Sequence, residues 1–309
     1  MKPFGFEIHR GESCQAMHIV LLTWNDRTAA LRCLESVRAS AYPAKQVLVV
    51  DNASDDDTVA AIRAEFPDYR VIVNATNLGF AAGCNVGLKL VLAEQADYIM
   101  LLNQDTVVDS NTFACLVAAA QARPQAGILA PKTYFLAKLV EGRERLLYGG
   151  SWRGRLPLQQ HVPGIEQIDD GRQNYACQVD FAWGHGLFLR VAMLREIGLL
   201  DETYFMYYED LDLCRRATQA GYEIWYIPEA RMWHDISDGA RVTSPELWRF
   251  RYKTQSMLAF YQKHYGCWRG HLLTWLNVAD EARQFWQRGE KAGAKILWRA
   301  WLQTLRKEG

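Results

Sequence analysis

"MHIVLLTWNDRTAALRCLESVRASAYPAKQVLVVDN", residues 17–52, decides the fold. "MHIVLLTW" is an apolar run of strand length, and Asn25-Asp26 after it can cap a helix. In "RTAALRCLESVRAS", Leu31, Leu34 and Val37 recur at helical spacing, and "QVLVVDN" is a second apolar run ending in a polar pair. The alternation continues with "DTVAAIRAEF" as a helix, "YRVIVNA" as a strand, "FAAGCNVGLKLVLAE" as a helix and "DYIMLLN" as a fourth strand. Strands separated by helices of this length predict an α/β fold with a mostly parallel central sheet flanked by helices.

Ligands of such sheets gather outside the carboxyl ends of the strands. The polar clusters fall there: Thr23-Trp24-Asn25, Asp51-Asn52, Asn77 to Phe80, and Asn103 to Asp105. Random surface polarity would not track strand ends, so one shared ligand site is expected along this edge. Past residue 135 the pattern weakens, and residues 136–176, rich in Gly, Arg and Gln, read as an insertion or flexible loop. Order resumes with "VDFAWGHGLFLR" (179–190), a short helix, a second helix from about Glu209, and the strand "YEIWYIP" (222–228). After Pro245 the chain is aromatic, basic and helical in pattern. The expected organisation is an N-terminal extension (1–16), an α/β domain (17–240, with halves of about 17–133 and 134–240) and a separate C-terminal helical segment (241–309).

Composition narrows the partners. The 309 residues carry no formal net charge, so no global field favours nucleic acid. Seven scattered cysteines without a C-x-x-C pair suit a reducing compartment and argue against a disulfide framework or a structural zinc site. The first sixteen residues lack the apolar stretch of a signal peptide, and no apolar run approaches the about 18 residues of a membrane span. A cytoplasmic protein is expected, with contact to the inner face of the membrane left open.

Four stretches carry candidate chemistry. In "VVDNASDDDT" (49–58), Ser54 and Asp55 to Asp57 suit a helix N-terminus, whereas Asp51 at the strand end can accept the N–H of a pyrimidine base. "NLGFAAGCNVG" (77–87) spaces Gly79, Gly83 and Gly87 four apart, which is not a dinucleotide fingerprint; these glycines allow close approach of a ligand or tight helix–sheet packing. "YYEDLDLCRR" (207–216) puts Glu209, Asp210 and Asp212 at a helix start, either as dipole-favoured caps or as functional carboxylates if the helix faces the ligand edge. "LLNQDT" (101–106) has Asn103 and a single carboxylate, Asp105, where many nucleotide-handling enzymes have D-x-D. His234 in "RMWHD" (231–235) follows the last predicted strand and is either structural or a metal ligand.

Together, "TWN" (23–25), "VVDNASDDDT", "NLGFAAGCNVGL", "LLNQDT", "GHGLFLR" (184–190), "LLDETYFMYYEDLDLCRRATQAGYEIWYIPEARMWH" (199–234) and "RYKTQSMLAFYQKHYG" (251–266) resemble family 2 of the inverting glycosyltransferases, of GT-A fold. Within that family the chain looks most like the bacterial rhamnosyltransferases of O-antigen and cell-wall assembly. The resemblance covers roughly residues 17–266 and implies transfer of a hexosyl group, L-rhamnose from dTDP-L-rhamnose, to a saccharide or lipid-linked saccharide acceptor. It implies a divalent cation, Mg²⁺ or Mn²⁺, bound by Asp105 and His234, with Asp210 as general base and Glu209 orienting the site or touching the acceptor. The nucleotide-sugar pocket would be framed by Thr23, Asn25, Asp51, Asn77, Gly79, Asn85, Asn103 and Gln104, and the acceptor side by Trp183, Gly184 and His185. Three positions depart from the family pattern: Gln104 for the commoner proline or aspartate, His185 for a small residue, and "YKTQS" for the usual Arg-Asn pair.

A sugar-1-phosphate nucleotidyltransferase would need a Gly-rich basic loop after the first strand, which "LLTWNDRTAA" lacks. A non-catalytic sugar-nucleotide-binding subunit is disfavoured by the presence of Asp105, Asp210 and His234, and a UDP-sugar donor is the alternative to dTDP. Residues 267–309 hold five tryptophans, with eight Lys/Arg against four Asp/Glu. In "RQFWQRGEKAGAKILWRAWLQTLRK", Trp286, Ile296, Leu297, Trp301 and Leu305 interleave with basic residues, which suits a membrane-surface helix, packing on the catalytic domain, or a homodimer contact.

Overall fold

The computed structural model describes residues 15–140, 143–153, 160–236 and 247–305, so most of the 1–16 extension lies outside the described residues. In chain order the elements are β1 (Met17–Thr23), α1 (Arg27–Ala39), β2 (Lys45–Asp51), α2 (Thr58–Glu65), β3 (Arg70–Val73), α3 (Phe80–Ala93), β4 (Tyr98–Asn103), β5 (Thr106–Val108), α4 (Thr112–Gln121), β6 (Ala126–Val140), β7 (Arg143–Tyr148), β8 (Trp152–Arg153), β9 (Gln160–His161), β10 (Cys177–Gln178), β11 (Gly186–Arg190), α5 (Val191–Ile197), α6 (Glu209–Gln219), β12 (Glu223–His234), α7 (Leu247–Tyr265), α8 (Cys267–Gln287) and α9 (Lys291–Leu305).

The sheet runs β10-β12-β6-β11-β4-β1-β2-β3, with β5 beside β12 and β7 beside β6. β1 is parallel to β2 and β4, and β2 to β3, as the alternating pattern predicts. β11 enters antiparallel between β4 and β6. Register aligns Thr23 with Asp51 and Leu22 with Asn103, so the polar clusters of β1, β2 and β4 share one edge.

Strand periodicity sends alternate residues to opposite faces. Ile19, Leu21 and Val49 pack with Leu34, Ile62 and Leu116 on one face, and Val20, Leu48 and Val50 with Leu88, Leu194 and Leu213 on the other. Gly83 and Gly87 serve the second layer. A Cβ at Gly83 would stand 2.8 Å from Leu22 Cδ1, and one at Gly87 2.6 Å from Val20 Cγ1, so both glycines let α3 close on the sheet.

Three expectations change. Residues 136–176 include the end of β6, the β6–β7 antiparallel hairpin and the short β8–β9 ribbon, so this is no plain loop. β12 does not stop at Pro228. Its pairing with β6 breaks between Ile227, which faces Pro131, and Arg231, which faces Lys132, and then resumes to His234 opposite Phe135. Prolines on both strands cannot donate to the ladder, so the chain bulges there and restarts. Lastly, the C-terminal helices are not separate. Phe250, Leu258, Val278, Phe285, Leu297 and Trp301 form a core among α7, α8 and α9, while Met257, Phe260 and Tyr261 of α7 pack with Tyr204 of the catalytic part.

Candidate active site

The restart of β12 makes the first half of the site. Its last turn pairs antiparallel with β5, aligning His234 with Thr106, and Asp235 N–H donates to Asp105 O (2.8 Å). His234 Nε2 and Asp105 Oδ1 are thereby brought to 3.0 Å. Asp105 remains partly open to solvent, while His234 is largely enclosed. Two buried polar atoms here have no partner, His234 Nδ1 and Asn103 Oδ1. Among the described residues no group of three or more His, Cys, Asp or Glu could hold a metal ion. One carboxylate plus one imidazole is a donor set that suits a cation completed by substrate phosphates and water.

The second half is the start of α6. Tyr207 and Tyr208 both adopt left-handed backbone (φ 68° and 71°), each costing on the order of 1–3 kcal/mol for a non-glycine residue. This turn is over-determined by α7: Ser256 Oγ donates to Met206 O (2.8 Å), the Tyr208 ring packs on Phe260, and Phe205 stacks on Tyr252 with centroids 4.4 Å apart. The strained turn delivers Glu209 and Asp210 to the helix N-terminus. Asp210 Oδ2 accepts the Gly184 N–H and Oδ1 the Leu211 N–H, both at 2.8 Å. Burial raises the Asp210 carboxyl above the ordinary range, against the pull of those N–H groups. Glu209 is raised well above it by burial and by the neighbouring Asp210 charge, and its buried Oε2 has no partner. Of the two, Glu209 is the more strongly disfavoured as an anion.

Trp183-Gly184-His185 joins the halves. Gly184 touches Asp210, and the His185 ring stacks on His234 with centroids 4.9 Å apart. His185 is buried, its Nε2 lies 2.9 Å from Thr133 Oγ1, and burial holds its ring well below the usual imidazole range, in the neutral form. His185, expected on the acceptor side, has its ring enclosed between Thr133 and His234. Trp183 packs on Tyr148 (5.5 Å) and edge-on to His185 (6.0 Å).

Along the strand-end edge, Gln104 clamps the β1 loop by two hydrogen bonds to Trp24, accepting its N–H and donating to its carbonyl, both at 2.9 Å. Asn25 ties the same loop to the next through Ser54 Oγ and the Asp55 N–H. Gly79 has φ +82°, and a Cβ there would stand 2.4 Å from Phe205 O; Phe80 N–H donates to that same carbonyl (2.6 Å). Asn77 Oδ1 accepts from Gly79 N–H and from Asn52 Nδ2, both at 2.9 Å. Asn25, Asn77, Asn103, Gln104 and Asp105 thus reach the edge at least partly exposed.

Two residues expected at the donor pocket lie beneath its edge. Asp51 is fully buried and accepts from Thr23 Oγ1, Ser54 Oγ and Ser54 N–H, so Asp51 and Thr23 brace the loop from below, and Ser54 joins this brace instead of capping α2. Asn85 is buried on α3 and spends its amide on the Leu200 backbone and on Glu202 Oε1. Residues that sequence reasoning missed are Asn52, which also accepts from Asn74 and Leu78 N–H, along with Thr133, Tyr252 and Ser256. Asn52 stood in a polar cluster; nothing local marked the others, whose partners lie far along the chain.

Asp212 anchors α6 to α7. It is wholly buried and binds Arg216 Nε (2.8 Å), His264 Nε2 (2.7 Å) and Lys263 Nζ (2.7 Å), and these contacts hold its carboxyl well below the usual range. Asp212→Asn leaves three basic groups around a neutral amide. After discounting for Lys263, a third exposed, a loss of about 3 kcal/mol in unfolding free energy is expected at neutral pH. The folded pKa is depressed, so this stability is present above the ordinary carboxylate pKa and is lost as pH falls below about 4. Thermal denaturation of both proteins should show the gap narrowing in acid.

With this geometry in view, the chain matches the family described as "Glycosyltransferase like family 2" over residues 15–263. It is 26% identical over 275 residues to the N-acetylglucosaminyl-diphospho-decaprenol L-rhamnosyltransferase of Mycobacterium tuberculosis, covering 82% of this chain and 87% of that one. It is 24% identical over 243 residues to the poly-beta-1,6-N-acetyl-D-glucosamine synthase of Staphylococcus epidermidis, spanning 54% of that protein. Among solved structures, GalNAc-T7 with UDP, GalNAc and Mn²⁺ superposes with a TM-score of 0.62 at 15% identity, over 80% of this chain and 48% of that one. A mannosyltransferase from Pyrobaculum calidifontis in complex with GDP-Man and Mn²⁺ gives 0.60 at 13% identity, over 96% and 89%. These likenesses fix the fold as GT-A.

Proposed function

The chain belongs to glycosyltransferase-like family 2 and is a glycosyltransferase, and from that premise we propose that it moves L-rhamnose from dTDP-L-rhamnose to a hydroxyl of a lipid-linked saccharide, with inversion. The observation that carries the reading is the single connected edge Asp210–Gly184–His185–His234–Asp105. It offers a carboxylate base at one end and a cation-binding pair at the other.

In this reading Asp210 accepts the proton of the acceptor hydroxyl, and the oxygen attacks the anomeric carbon opposite the diphosphate, whose bond to that carbon breaks. Neutral Glu209 beside it adds no second negative charge and can hydrogen-bond the acceptor. Asp105 and His234 would hold a divalent cation, which would offset charge on the departing diphosphate. Mn²⁺ in the two structural relatives supports a cation of this kind. Asn25, Asn77, Asn103 and Gln104 line the donor edge. The rhamnosyl donor and lipid-linked acceptor rest on the likeness to the mycobacterial enzyme.

A thermal-shift panel of nucleotide sugars with and without Mn²⁺ tests the donor, since a bound ligand stabilises by RT ln(1 + [L]/Kd). The largest shift is expected for dTDP-L-rhamnose with Mn²⁺; a larger shift with a UDP-sugar would replace the donor assignment.

A further inference from the structure

The outer face of α8 is apolar and uncovered. Trp268, Leu272, Trp275, Leu276 and Trp286 are each between 41% and 68% exposed, although Val278, Ala282 and Phe285 of the same helix are buried. At about 100° per residue the five exposed positions fall within roughly 100° of the helix circumference, so they form one stripe. Leu302 of α9 is exposed as well. In α9 packing takes Leu297 and Trp301, which are buried in the three-helix core. Four of the five cluster from Trp268 to Leu276, with exposed Arg283 between them and Trp286, and such a cluster differs from singly scattered surface hydrophobics.

The rim of the stripe is cationic. The Arg269 guanidinium lies over the Trp268 ring at 5.4 Å and Lys291 Nζ over the Trp286 ring at 5.1 Å. Arg283 lies along the stripe, paired with Asp280. Indole rings exposed beside basic side chains suit a lipid headgroup boundary, where the ring enters the apolar layer and the cation meets phosphate. No helix among the described residues is long and apolar enough to cross a membrane.

We propose that the α8 stripe Trp268–Leu272–Trp275–Leu276–Trp286 docks the protein on the surface of an anionic phospholipid bilayer. Since α7 packs both on α8 and on the turn that carries Asp210, docking holds the catalytic turn at a fixed attitude to the membrane. The inference stands on the stripe and its charged rim, independently of which donor or acceptor is used.

The test is co-sedimentation of the full chain with phosphatidylcholine vesicles with and without phosphatidylglycerol, in the absence of any sugar nucleotide. Wild type is expected to sediment with the anionic vesicles and to show a blue shift of tryptophan emission. The double variant Trp268→Ser/Trp275→Ser should partition about tenfold or more weakly with an unchanged melting temperature, because both side chains are exposed. Equal sedimentation of the variant, or no binding by wild type, overturns the proposal. A wild-type dimer in light scattering that the variant converts to monomer also overturns it, by assigning the stripe to a second copy.

Discussion

Asp210→Asn is expected to lower kcat by about 10²–10⁴-fold while nucleotide-sugar binding stays within a few-fold of wild type. The amide keeps the size of the carboxylate and can still accept an N–H from Gly184 or Leu211, so the fold of the α6 turn persists. What disappears is the one charged group at this end of the edge. Burial has already raised the Asp210 carboxyl, which makes it a stronger base than an exposed aspartate. In wild type kcat should therefore fall as pH drops through a value above the ordinary carboxylate range, because protonation removes the base. Glu209→Gln should be far milder, since the glutamine copies the protonated form that burial imposes on Glu209. Rate–pH profiles of the three proteins check this; a collapse in Glu209→Gln with a mild loss in Asp210→Asn would move the base to Glu209.

The second large effect is at the other end. Asp105→Ala is expected to reduce kcat/KM by about 10²–10³-fold at fixed Mn²⁺, because in the proposed site the cation would lose the one carboxylate of the Asp105–His234 pair. His234→Ala should fall in the same range, and the double variant should be little worse than either, since both side chains serve one ion. Strict additivity in steady-state kinetics would argue that the two act separately.

The first four strands and three helices, from Met17 to Asn103, were legible because short apolar runs alternate with segments whose apolar residues recur at helical spacing. The ligand edge followed from where their polar ends fall. Other parts were hidden for identifiable reasons. Pro228 marks a strand end by every local rule, yet Pro131 stands near the same break in the neighbouring strand, and the ladder bulges and resumes. That resumption seats His234 against Thr106, a pairing across more than a hundred residues that no spacing can show. The polar make-up of residues 136–176 concealed the β6–β7 hairpin. Asp51 looked like a pocket residue because it ends a strand, and Asn85 was expected there from the family resemblance alone. Their hydrogen bonds to Ser54 and to Leu200 turn them inward as braces. The departure at "YKTQS" proved structural in meaning, since Tyr252 and Ser256 reach the Phe205-Met206 segment under the catalytic turn.

The central claim is that cation and sugar nucleotide share one site built on Asp105 and His234. Calorimetric titration of Mn²⁺ into the protein with and without dTDP tests it most directly. With only two protein ligands, Mn²⁺ should bind weakly alone and at least about tenfold more tightly once a diphosphate completes its shell. Identical Mn²⁺ affinity in the two titrations, or dTDP binding unchanged by EDTA, would contradict the account.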